Sequence, residues 1–361
     1  MKNVRWVLMG FVIILMIGSL FVFKTVWESG AFKKIVPIRE CACTQVHGAV
    51  GAEDIAVDRD TGIAYISSSD RRAAMRGEHA AGAIYSYSLK SEKPVLKNLT
   101  AGFKKDFHPH GIYLYSKGRG TKLLFVVNHV RDTRSNGAAN GERVEIFRIM
   151  GNGLRHIETL SDPLITSPND ICAVGPRSFY ISNDHGSKTA FQKKIEDYLQ
   201  RPLSYIVYYD GRSFRKAANK LSYVNGLALS RDGKTLYAAA TVDRMIRVFD
   251  RDAATGDLKR RVDIFLNTGV DNLDVDSKGD IWVGCHPKLL AFMKHSKDPE
   301  SLSPSQVLRI IPGGNDTYDM KQVYLDTGEE ISGSSVAVRF RRRLLIGSVF
   351  GPHFLDCTLK K

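Results

Sequence analysis

Six short stretches carry the residues whose types could do chemistry. Each begins with a polar side chain just before an apolar strand: Glu53, His110, Asn169, Asn225, Asp271 with Asn272, and Ser334. The set supplies two carboxylates and three side-chain amides. These are hard oxygen donors, the ligand type of calcium, which takes ~6–8 oxygens at ~2.3–2.6 Å. The thiolates and histidine pairs that select zinc or copper are missing from these positions. One Asn or Asp at a strand start usually caps a turn. Five oxygen-bearing residues at equivalent places in separate repeats point instead to a shared, buried metal site.

The elements that must position these residues form a repeat. A polar start leads into an apolar strand, a turn, and a second apolar strand. Glu53-Asp54-Ile55-Ala56-Val57 leads to Ile63-Ala64-Tyr65-Ile66, and Asn225-Gly226-Leu227-Ala228-Leu229 leads to Leu236-Tyr237-Ala238. The six copies are spaced by 57, 59, 56, 46 and 63 residues. A period near ~50 residues built from strands alone is the signature of a β-propeller, here an all-β fold with six blades. The innermost strand of each blade lines the central channel, so the polar starts converge on the axis. One helical segment is expected over 189–200, where Phe191, Ile195, Tyr198 and Leu199 share a face.

The N-terminus is of a different kind. Trp6–Phe23 is an uncharged run of 18 residues. As a helix it would span ~27 Å, close to the hydrocarbon thickness of a bilayer. The following Lys24-Thr25-Val26-Trp27-Glu28 has no small-residue cleavage pattern, which favours an uncleaved signal anchor. The expected organisation is an anchor helix over 1–24, a linker over 25–40 and a propeller over 41–361. The propeller would lie outside the cytoplasm on its anchor, or be secreted. Of the five cysteines, Cys172 and Cys285 sit in apolar strand contexts and read as buried thiols. A bridge from Cys357 to Cys41 or Cys43 would tie the ends of the domain together in an oxidising compartment. The net charge of +14 is spread along the chain. Its tightest cluster, Arg339 with Arg341, Arg342 and Arg343, reads as a hairpin tip, so nucleic acid is not an expected partner.

At these residues the chain resembles the paraoxonase family. The resemblance runs from about residue 40 to the end. It is carried by Gly51-Ala52-Glu53-Asp54-Ile55, His108-Pro109-His110-Gly111-Ile112, Phe125-Val126-Val127-Asn128-His129, Pro168-Asn169-Asp170-Ile171, Val224-Asn225-Gly226 and Val270-Asp271-Asn272. It implies a calcium-dependent lactonase and arylesterase with two ions in its tunnel. The catalytic ion's ligands would be Glu53, Asn169, Asn225, Asp271 and Asn272. The structural ion's would be Asp54, Asp170 and the carbonyl of Ile112. The family's histidine dyad falls on His110 and His129, and its disulfide on Cys357 with Cys43 or Cys41.

The implied chemistry is attack of water on an ester carbonyl polarised by the ion. His110 would take the water's proton and His129 would tune it, with Asp271 the rival base. His185 and His286 are expected at the mouth or behind the ligands. Tyr223, Phe292, Val349 and Phe350 are candidates for an apolar substrate wall. The chain departs from the family pattern at Ser67–Arg72, in the 134–143 loop and in the charged 189–200 helix, all near the expected rim. Two other functions fit a metal-braced propeller: a sugar lactonase of the gluconolactonase type, and a binding module without turnover.

Overall fold

A computed structural model describes residues 2–78, 80–116, 120–130, 141–151 and 153–360. Six antiparallel sheets form a ring; the strands run in sequence order from the axis outward, except that blades five and six each take their outermost strand from the N-terminal part of the chain. Blade one holds Ala52–Asp58, Ile63–Ser68, Ala83–Ser88 and Lys97–Asn98. Blade two holds Pro109–Ser116, Lys122–His129, Glu142–Met150 and Gly153–Leu160. Blade three holds Pro168–Ala173, Phe179–Asn183, Ser204–Tyr209 and Phe214–Leu221. Blade four holds Val224–Leu229, Thr235–Ala240, Met245–Arg251 and Leu258–Phe265. Blade five holds Gly269–Val275, Ile281–His286, Ser305–Pro312 and Tyr318–Asp326. Blade six takes Ser334–Phe340, Arg343–Ser348 and His353–Leu359 from the C-terminus, and its outermost strand, Cys41–His47, from the N-terminus. Each innermost strand adjoins the next, and the sixth adjoins the first.

The apolar strands follow from this stacking. A blade is covered on both faces by its neighbours, so its second strand is buried on both sides and reads as a continuous apolar run. In blade two, Leu124, Phe125, Val126 and Val127 are all fully buried. Each blade junction holds its own apolar layer. Ile55, Ile66, Val338 and Phe354 fill the one between blades six and one, and Phe125, Ile146, Ile171 and Ile181 the one between blades two and three.

The polar strand starts need close approach at the axis. A Cβ on Gly111 would lie 2.5 Å from the Asp170 Cα and the Asn169 carbonyl oxygen. One on Gly226 would lie 2.6 Å from the Asn272 Cα. The glycines of the His-Gly and Asn-Gly pairs therefore let inner strands of neighbouring blades touch.

Antiparallel pairing puts the start of each inner strand at the same end of the ring as the exit of the second strand. The connections from second to third strands therefore overhang the site. Three carry helices: α2 (Arg71–Met75), α3 (Ala190–Tyr198) and α4 (Leu289–Lys297). Helix α3 is the one expected over 189–200, started by a capping box between Thr189 and Gln192. The longer 134–143 loop expected to depart from the family lies largely outside the described residues.

Helix α1 spans Lys2–Glu28, reaching past residue 24. Within its Trp6–Glu28 stretch of 23 residues, an 18-residue window has a mean hydropathy of 2.6. The stretch read as a linker is docked rather than loose. Glu28 pairs with Arg244 at 3.1 Å, and the Ser29 carbonyl accepts the Leu289 N–H at 2.8 Å. Ile38–Arg39 adds a further outer strand to blade five.

Candidate active site

The expected ligands meet at the axis. Glu53 is buried in the first inner strand. Its Oε1 accepts a 2.6 Å hydrogen bond from the Asn272 amide, which also bonds the Glu53 carbonyl at 3.2 Å. His110 Nε2 lies 3.5 Å from Oε1, and an Arg71 guanidinium nitrogen 3.8 Å from Oε2. Asp271 is held by His286 Nε2 at 2.8 Å. Asn225 donates to Thr241 Oγ1 at 3.4 Å.

These bonds leave a distinctive remainder. Glu53 Oε2, Asn169 Oδ1, Asn225 Oδ1 and Asn272 Oδ1 are buried with no hydrogen-bond partner among the described residues. A buried acceptor without a donor costs about 1–3 kcal/mol, more for a charged one. Four such oxygens from four blades are what a hard cation needs and what a hydrogen-bonded core avoids. The residues present fit calcium.

Asp54 and Asp170 sit directly behind. Asp54 accepts from Ile55 N at 2.8 Å and from Ile112 N in blade two at 2.6 Å. Asp170 repeats the pattern with Ile171 N at 2.7 Å and Leu227 N in blade four at 2.6 Å. Each carboxylate thus fastens its own blade to the next. Burial pushes both carboxyls well above the usual range, with Asp170 and Glu53 adding to the rise at Asp54. Burial also raises Asp271 to about 6, opposed by His286. At Glu53 burial is outweighed by His110, Arg71 and Asn272, which hold its carboxyl down at about 2. So much buried negative charge calls for a cation.

The histidines form a line. His110 Nδ1 lies 2.7 Å from His129 Nε2, and His129 Nδ1 lies 2.6 Å from Glu142 Oε2. An ionised carboxylate only accepts, so His129 carries its proton on Nδ1 and offers the Nε2 lone pair. When neutral, His110 then donates from Nδ1 and keeps a lone pair on Nε2, the nitrogen facing Glu53, and a proton taken up there pairs with that carboxylate. Burial and Arg71 lower the basicity of His110, against the pull of Glu53.

The remaining candidates separate. Phe292 of α4 stacks on His286 with centroids 3.8 Å apart and lies 5.8 Å from Phe350, so both aromatics back the Asp271 side. Arg71 donates to the Val349 carbonyl at 3.3 Å. Tyr223 stands edge-on to His185 at 5.1 Å. His185 bridges Asp184 at 2.7 Å and Asp197 of α3 at 2.9 Å, which makes it a fastener for that helix. Ser334 remains in blade packing, bonded to the Cys285 carbonyl at 3.2 Å, while its neighbour Ser335 reaches the Glu53 carbonyl at 2.6 Å.

Three groups go beyond the sequence reading. Glu142 stands directly across from His129 in the strand pairing, behind a loop that hides the register. Arg71 enters from a segment noted only as a departure, and donates to the carbonyls of Gly51 and Ser69 as well. Arg72 ties α2 to α4 through the His295 carbonyl at 2.6 Å and to the Phe350 carbonyl at 2.9 Å. The pairing of Cys357 is with Cys43.

The family model for arylesterases matches residues 35–359. The human serum paraoxonase/arylesterase 1 is 34% identical over 331 residues, covering 89% of this chain and 90% of that protein. The chicken serum paraoxonase/arylesterase 2 is 34% identical over 329 residues, with the same shares covered. Among solved structures, a putative gluconolactonase superposes with a TM-score of 0.54 at 16% identity, covering 88% of this chain and 92% of its own. Regucalcin from Agrobacterium tumefaciens, described as a calcium-binding protein, gives 0.52 at 14%, covering 88% and 93%. At those identities the structural likenesses establish the fold alone. The match along nearly the whole sequence leaves one assignment: the chain belongs to the arylesterase family, the family of the serum paraoxonases.

Proposed function

We propose that this chain is a calcium-dependent hydrolase that opens lactones and cleaves aryl esters by adding water to the carbonyl. The observation that carries the reading is the set of four buried, partnerless oxygens of Glu53, Asn169, Asn225 and Asn272 beside the His110–His129–Glu142 line. Those residues with Asp271 would hold a catalytic calcium. Asp54 and Asp170, with the Ile112 carbonyl, would hold a second, structural one. The chemistry a calcium supplies there is Lewis acidity toward the ester carbonyl oxygen.

The chain's own groups do the rest. His110 Nε2 takes a proton from water, and the positive charge is stabilised through His129 by Glu142. Asp271 is engaged by His286, which makes it a poorer base than its position alone suggests. Phe292 and Phe350 offer apolar surface to the acyl or aryl part of the substrate. Helices α2, α3 and α4 overhang the site and narrow the access of bulk water.

Helix α1 would anchor the enzyme in a membrane, with the propeller in an oxidising compartment where the Cys43–Cys357 bridge persists. The test is turnover of a δ-lactone, a sugar lactone and a phenyl ester by the purified full chain, with calcium and with chelator. Calcium-dependent hydrolysis of the first and third is expected. Turnover of the sugar lactone alone would favour a gluconolactonase, and binding without turnover a non-catalytic module.

A further inference from the structure

The end of the ring away from the substrate carries a charged group that the hydrolysis does not use. Arg59 lies in the turn after the first inner strand, Ala52–Asp58. Its Nη2 donates to both Asp274 carboxylate oxygens at 2.7 Å and to the Val275 carbonyl at 2.9 Å. Its Nη1 donates to the Arg339 carbonyl at 2.8 Å. Asp274 and Val275 belong to the inner strand of blade five, and Arg339 to that of blade six. Blade six stands between blades one and five, so one side chain reaches past a whole blade. The turn is anchored on its other side as well, where Lys122 of blade two donates to Asp58 Oδ1 at 2.8 Å and Oδ2 at 2.7 Å.

Arg59 shares this level with Tyr113 of blade two and Cys172 of blade three, which pack in one apolar cluster. Burial pushes the Tyr113 hydroxyl well up, Cys172 and Asp274 add to the rise, and Arg59 opposes it. Groups from opposite blades therefore act on one another across the axis. The level lies directly behind the carboxylates of Asp54 and Asp170. Tyr113 follows Ile112, whose N–H Asp54 accepts, and Cys172 is two residues past Asp170. It is also a boundary. Asp54 and Asp170 are buried, whereas the side chains of Arg59 and Asp274 are 28% and 17% exposed. Solvent touches this level from the far end, and the carboxylates beyond it are sealed.

We propose that the Arg59–Asp274 pair is the floor of the metal tunnel, and that Arg59 is a positioning residue for the inner, structural calcium at Asp54 and Asp170. The claim rests on the two-calcium reading above. With the floor shut, the inner site opens only toward Glu53, Asn169 and Asn225, so it empties after the catalytic site. Arg59 closes the other route by bulk and by charge. A fixed guanidinium repels an approaching cation, and an unpaired Asp274 would attract one. Their pairing cancels that pull.

The test uses the full chain, loaded with calcium and mixed with an excess of a fluorescent chelator. The parent should release its two ions in two phases, the second slow. Arg59→Met combined with Asp274→Asn removes the pair without changing the net charge. It should speed the slow phase about tenfold or more, the weight of one hydrogen bond to a charged group. Rebinding should accelerate by the same factor, which keeps the affinity within about twofold. A site that is merely loosened would release faster and bind more weakly. Arg59→Lys keeps the charge but has one nitrogen in place of the fork. It should give a smaller acceleration, and it serves alone if the double variant does not accumulate folded. Unchanged rates in variants that hold two ions overturn the proposal and leave the calcium reading intact. Faster release matched by an equal loss of affinity overturns it as well. A parent that binds fewer than two ions removes the inner site, and the proposal with it.

Discussion

Glu142 faces His129 directly across two strands of blade two, its Oε2 2.6 Å from the ring's Nδ1. That contact fixes the tautomer of His129 and, through it, of His110. Replacing the carboxylate by an amide keeps the shape and removes the acceptor that sets the direction of both protons.

Glu142→Gln should therefore lower kcat for lactones and phenyl esters by about tenfold or more, a part of the ~10²–10⁴ that general base catalysis contributes. His110→Gln should cost more, toward the full range. Calcium content, measured by elemental analysis on each variant, should not change. Full activity of His110→Gln on every substrate would remove the relay from the mechanism and leave Asp271 as the base.

Removal of the metal should loosen the fold as well as stop turnover. Chelation leaves Glu53, Asp54, Asp170 and Asp271 buried together with partnerless amide oxygens beside them. A thermal melt with excess chelator should fall well below the calcium-loaded melt, and Asn272→Ala or Glu53→Ala should reproduce part of that fall with less calcium bound. A melt unchanged in protein shown to be metal-free would sink the metal reading.

The fastening of α3 should depend on pH. Its hydrogen bonds to Asp184 and Asp197 outweigh burial and raise His185 to about 10. The sign follows: a group raised in the folded state stabilises fully below its unfolded value, about 6.5, and loses that contribution as pH climbs through about 10. His185→Gln should lower the melting temperature at pH 6 and do so progressively less up to pH 10. Limited proteolysis within residues 189–200 should show the same trend. An equal loss at both pH values would mean that the histidine acts by packing alone.

Cys357→Ser removes one sulphur of the bridge that closes the ring. The loop closed by the Cys43–Cys357 bond has a sequence separation of 314. Its nominal stabilisation is ~5 kcal/mol, an upper figure for an entropic cross-link. The variant should melt lower and refold more slowly than Cys41→Ser, which keeps the Cys43–Cys357 bond. Equal melts for the two would show that the apolar layer alone holds blade six.

The sequence carried the six blades because the repeat is written in local signals: a polar start, glycine where inner strands touch, and apolar runs buried on both faces. The same regularity placed Glu53, Asn169, Asn225, Asp271 and Asn272 on one axis. Glu142 escaped because its role is set by the register of a pair separated by a loop, and register is not periodic. Arg71 escaped because a charged side chain in a rim segment gives no sign of turning inward onto the carbonyls of Gly51, Ser69 and Val349. The choice between Cys41 and Cys43 was equally hidden. Both leave the same face of one strand, and only the pairing of Cys43 with Cys357 across the sheet decides it.

The outer strand of blade six is made before blades one to five, and its partners after them. Cys41–His47 must wait with an unpaired edge while blades one to five are made, since its neighbour His353–Leu359 follows them along the chain. Synthesis can stack five blades in order but cannot complete the circle until His353–Leu359 has emerged. A chain cut before His353 would lack that neighbour and Cys357 at once. It would leave strand edges exposed on both sides of an open gap, a surface prone to pair with another chain.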